Sequence, residues 1–124
     1  MRNFKLRSVC GVLLMAAIIL STFGAGTASA RRRNFSFVNY SGRIVSYLYI
    51  TQSAYRKWGH DLIGSTVLAN GDSCGCWYDD RIRYFDVRVV FSDGSDAVFM
   101  RHSFRGLWRL TLFNRNGTYT IRSN

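Results

Sequence analysis

From residue 34 onward, apolar and polar residues alternate in short runs broken by turn residues. The clearest run is residues 82–91, where Phe85, Val87, Val89 and Phe91 share one parity and Tyr84, Asp86 and Arg88 the other. Successive side chains of an extended chain point to opposite faces, so this rhythm predicts a half-buried strand. Residues 44–51 predict a second strand, with Ile44, Leu48 and Ile50 on one parity and Val45, Tyr47 and Tyr49 on the other. Both of its faces are apolar or aromatic, as for a covered strand. Phe35, Phe37 and Val38 begin an earlier strand, and Ala97, Val98, Phe99 and Met100 a later one. Residues 107–113 predict a strand with Trp108, Leu110 and Leu112 on one face, and the last strand runs through Tyr119 and Ile121.

The turns agree with this division. Ser41-Gly42, Asn70-Gly71, Asp93-Gly94 and Asn116-Gly117 separate the runs, and the chain contains no proline. Glycine, asparagine and aspartate must therefore make the turns. Asp-Gly between two alternating runs is a hairpin signal. Residues 52–63 break the alternation and read as a loop with one helical turn. No segment sustains a helical apolar stripe. The expected fold is all-β, a small antiparallel sandwich of six to seven strands.

The first thirty residues are different. Arg2, Lys5 and Arg7 precede an uncharged, mostly apolar run from Val9 to Leu20, and Ala28-Ser29-Ala30 closes the segment. This is the layout of a secretory signal peptide. The run is shorter than the ~20 residues that span a bilayer. The expected organisation is a signal peptide at 1–30 and a single domain at 31–124, with no transmembrane helix after cleavage. The competing reading is a retained anchor, which Arg31-Arg32-Arg33 would favour. Export implies a periplasmic or secreted protein.

Charge then narrows the partners. Residues 31–124 hold thirteen arginines and Lys57 against seven aspartates, a net +7, and the chain has no glutamate. Such a balance favours anionic partners. An anionic envelope component or another exported protein fits; nucleic acid does not suit an exported chain. Arginine clusters beside aromatic residues at Arg83, Arg88, Arg101, Arg105 and Arg109, the candidate anionic contact surface. The same composition also arises when arginine stems cover rings on half-buried strands.

Asn34-Phe35-Ser36-Phe37-Val38-Asn39-Tyr40-Ser41-Gly42, Leu48-Tyr49-Ile50, Trp58-Gly59-His60-Asp61-Leu62-Ile63-Gly64 and Phe85-Asp86-Val87-Arg88 followed by Asp93-Gly94 form an ordered set. Together they resemble a family of small uncharacterised exported bacterial proteins. Its pattern is an aromatic residue before "LVNxTG", then Trp-x-x-Asp-x-Leu-Gly, then aromatic-Asp-x-Arg and Asp-Gly. The resemblance spans most of residues 34–117 and implies fold and export, not an activity. Members commonly carry two cysteines where this chain has Arg83 and Arg105.

Few residues suggest chemistry. Cys74 and Cys76 would share one face of a strand, so both sulfurs could meet a soft metal, with His60 and His102 completing a set. They could instead form a small strained disulfide or be inert thiols in a variable loop. Trp58, Gly59, Asp61 and Gly64 make either a binding loop or a plug over the core whose Asp61 hydrogen-bonds nearby amides. Asp79-Asp80, Asp93 and Asp96 lack EF-hand spacing and fit turns. Asn34, Asn39 and Asn116 begin Asn-x-Ser/Thr triplets that read as chance. There is no nucleophile elbow, zinc-protease motif or phosphate-cradling loop. The expectation is a non-enzymatic, cofactor-free binding or envelope-associated module. A metal or thiol-redox protein built on Cys74 and Cys76, and an edge-strand assembly protein, are the competing classes.

Overall fold

The computed structural model describes residues 31–124; the expected signal peptide lies outside the described residues. Among the described residues seven strands form two sheets. They are β1 (Arg32–Tyr40), β2 (Val45–Gln52), β3 (Ser73–Asp79), β4 (Tyr84–Phe91), β5 (Asp96–Ser103), β6 (Arg109–Arg115) and β7 (Thr118–Ser123). One sheet has the order β3-β1-β6-β7 and the other β2-β4-β5. The architecture is the all-β sandwich that the alternation predicts.

Its inner faces follow the parity rule. Phe85, Val87, Val89 and Phe91 of β4 are buried, and Phe35, Phe37, Leu110 and Leu112 meet them from the four-stranded sheet. Antiparallel pairing fails at one place: β1 runs parallel to β6, with Phe37 beside Leu110. The hairpins behave as their residues require. Asn116 and Gly117 both have positive φ, 52° and 86°, as the two centre residues of a type I′ turn demand.

Three sequence expectations change. β3 went unassigned, yet it alternates with Cys74, Cys76 and Tyr78 buried. Trp108 does not join Leu110 and Leu112 on the inner face; its side chain is 57 % exposed. The turn at 104–107 buries Phe104 and Leu107 in the core instead, and β6 starts one residue after Trp108. In the stretch 52–63, Gln52 ends β2 and the rest is turns, bends and irregular chain, with no helical turn.

That long connection closes the open edge of β2. Leu62 N donates to Leu48 O at 2.8 Å, and Val45 and Leu68 exchange two backbone bonds of 2.9 Å. The outward groups of Val45 and Leu48 are thus satisfied within the chain rather than left to template another strand. Leu62, Ile63 and Leu68 are buried beneath the same connection.

Candidate anion site at one end of the sandwich

Four aromatic rings fill one end of the core. Phe35, Tyr78, Phe85 and Phe104 contact one another with centroids 4.4–5.8 Å apart, mostly edge to face. Edge-to-face contact places the positive ring edge on the negative face of its neighbour. The Tyr78 hydroxyl donates to the carbonyl of Phe104 at 2.7 Å, which fixes the turn after β5.

Arginines gather beside the Tyr78 edge of this cluster. A cavity of about 240 Å³ is lined by Tyr78 and Ile82 together with Arg33, Arg83, Arg105 and Asp80. Arg83 and Arg105, the two positions where the resemblance places cysteines, come together here because the Phe104 amide donates to the Arg83 carbonyl at 2.9 Å. Asp80 is held by Arg31 at 3.4 Å and Arg33 at 3.1 Å. Arg83 and Arg105 form no ion pair among the described residues.

Arg101 reaches a neighbouring cavity of about 230 Å³ that shares Ile82 and Arg83. Its position is set by a bulge in the β4–β5 ladder between Phe85 and Val87. Arg101 takes a positive φ of 55° there, a conformation costly for a side chain with a Cβ. The buried Asp86 carboxylate supports it by accepting from Arg101 N at 2.8 Å and from Ser53 Oγ at 2.8 Å. The Arg101 guanidinium lies 4.4 Å from the Tyr84 ring centroid. Bulges re-aim side chains in this way.

The other two candidate arginines lie elsewhere. Arg88 is on the outer face of the three-stranded sheet, over Tyr49 and bonded to Asp96 at 3.0 Å. Arg109 is on the outer face of the four-stranded sheet, 4.8 Å from the centroid of Trp108. Arg33 was missed by sequence reading. The signal was the Arg31-Arg32-Arg33 run opening β1, whose register sets Arg33 opposite Tyr78.

The aspartates are occupied. Asp79 binds Arg81 through both oxygens, which holds its carboxyl below the usual range. Asp93 accepts from the Ser95 hydroxyl and amide and pairs with Arg43, and these partners lower its carboxyl to about 2.

The remaining candidates stay apart. The Cys74 and Cys76 sulfurs are 3.9 Å from each other, nearly twice an S–S bond of ~2.05 Å, so the two are not bonded together. Both project into the core from one face of β3. His60 is exposed in the long connection, while His102 is part-buried on β5. Among the described residues no three of His, Cys, Asp or Glu gather where they could hold a metal. Asp61 accepts from Leu48 N at 3.0 Å and Ile63 N at 3.2 Å, and burial raises its carboxyl above the ordinary value. Trp58 rests against Tyr49 with centroids 6.5 Å apart, on the outside of the three-stranded sheet rather than over the end of the core. Gly59 and Gly64 both take positive φ, 78° and 60°, in the turns around Asp61.

Fold and site together define a small β-sandwich with an arginine-lined end. No protein-family model and no curated protein matches the chain. Among solved structures it is similar to one described as the NMR structure of the protein from Eubacterium rectale. The two share 13 % identity with a TM-score of 0.54, over 75 % of this chain and 88 % of that one. The likeness is one of fold.

Proposed function

We propose that this domain is a non-catalytic module, exported to the periplasm or beyond, that binds an anionic component of the cell envelope. The observation that carries this reading is the meeting of Arg83 and Arg105 with Arg33 around one cavity, two of the three without a carboxylate partner among the described residues. A single guanidinium can grip an oxyanion bidentately, and guanidinium groups that converge can hold one anion from several sides at once. Resemblance to exported proteins and the apolar segment before Ala30 support export.

The test is a titration of the labelled protein with inorganic phosphate, sulfate and a heparin oligosaccharide, followed at the Gly106 amide beside the cavity. Binding should weaken steeply with salt and should fall at least tenfold in the Arg83→Gln/Arg105→Gln variant. Its stability should stay within about 0.5 kcal/mol of the parent, because both side chains are exposed. A protein that ignores all three probes, or binds them unchanged in the variant, refutes the reading.

A further inference from the structure

The outer face of the four-stranded sheet carries an independent feature. Three guanidinium groups cover aromatic rings there: Arg32 over Trp77 at 5.9 Å, Arg109 over Trp108 at 4.8 Å and Arg122 over Phe113 at 5.3 Å. Tyr40 stacks on Phe113 from the neighbouring strand, with centroids 6.2 Å apart. The ladder registers explain the grouping. Ser36 is beside Arg109 and Tyr40 beside Phe113 across β1 and β6, while Thr111 faces Arg122 across β6 and β7.

Charge on this face is almost all positive. Asp79 is the single carboxylate among its strand positions, and Arg81 already holds it. The opposite sheet differs, since Arg88 on its outer face is paired with Asp96. Trp108 and Tyr40 are 57 % and 49 % exposed. Between them the face is shallow, with Ser36 opposite Gly75 at its centre.

We propose that this face lies against an anionic lipid bilayer, its arginines on phosphate groups and Trp108 and Tyr40 at headgroup depth. A surface roughly 15–20 Å across, which four strands provide, matches a flat partner better than a narrow chain. Amphipathic tryptophan and tyrosine rings favour the lipid–water boundary. Guanidinium groups beside the rings remain available to phosphate. The face is distinct from the end cavity, so the two readings can fail separately.

Vesicles of phosphatidylglycerol and phosphatidylcholine are the probe, compared with pure phosphatidylcholine by co-sedimentation and tryptophan emission. The full chain should sediment with the anionic vesicles, with a blue shift that disappears in Trp108→Phe. Residues 1–30 are common to all variants, so differences between variants read the face. Arg109→Gln/Arg122→Gln should lower partitioning about 30-fold, whereas Arg83→Gln/Arg105→Gln should not change it. Unchanged partitioning of the Arg109→Gln/Arg122→Gln variant, or equal binding of the parent to neutral vesicles, overturns the proposal. So does loss confined to the cavity variant, which would leave the anion-cavity reading standing. Retention on heparin or single-stranded DNA through Arg109 and Arg122, with vesicles ignored, overturns the lipid assignment. A circular-dichroism spectrum matching the parent checks that each variant folds.

Discussion

The side-chain amide of Asn39 donates to the carbonyl of Leu68 at 2.9 Å, joining the end of β1 to a segment twenty-nine residues later. Its second N–H donates to the Arg43 carbonyl at 2.7 Å, and its oxygen accepts from both the amide and the hydroxyl of Ser41. Asn39 is fully buried, so its amide has exchanged water for four partners inside the protein. The triplet it begins is therefore a structural lock, with no N–H exposed to modification.

Asn39→Ala should destabilise the domain by about 3 kcal/mol, since each lost bond is worth ~1 kcal/mol and some partners stay buried. Thermal unfolding should show a midpoint lowered by roughly 10–20 °C for a domain of this size. Asn39→Asp should also destabilise it, because a carboxylate cannot donate to the Leu68 and Arg43 carbonyls. A midpoint within a few degrees of the parent for both variants would contradict the lock.

Burial pushes the Cys76 thiol up to about 12. The thiolate is the reactive form, so Cys76 should resist alkylation in the native protein at pH 8. It should react within minutes once the chain is unfolded in guanidinium. Mass spectrometry of peptides after timed iodoacetamide treatment reads this directly; rapid native labelling of Cys76 would show that β3 opens readily.

His102 has its imidazole partly buried, with Nε2 lacking a hydrogen-bond partner among the described residues, and burial lowers its value from 6.5. The unfolded chain therefore takes up a proton near pH 6.5 that the folded chain resists. His102 adds its full contribution above that pH, and stability falls as the pH drops through 6.5 toward the lower folded value. Between pH 7.5 and 5 the melting temperature should decline more steeply in the parent than in His102→Gln. Equal slopes would place His102 in contact with water.

Period-two alternation was enough to locate strands such as β4, whose four inward residues are all buried. It located the hairpins too, because Asp-Gly and Asn-Gly specify backbone angles locally. It missed β3, where cysteine and glycine at 74–76 weaken the apolar signal although the parity is intact. It misplaced Trp108, because nothing local says that Phe104 and Leu107 will occupy the core ahead of it. The candidate arginines were readable as a basic, aromatic composition. Which of them converge depends on a bulge at Asp86 and on pairing between distant segments, and neither leaves a local mark.

The parallel contact between β1 and β6 has a kinetic consequence. β1 sits inside its sheet, between β3 and β6, yet it is the first strand among the described residues. Its neighbour Leu110 lies far along the chain from Phe37, so a large loop must close before this seam can form. Such non-local pairing slows folding toward milliseconds to seconds. The hairpins β4–β5 and β6–β7 can assemble early, while the amino-terminal strand waits and inserts last between partners already made.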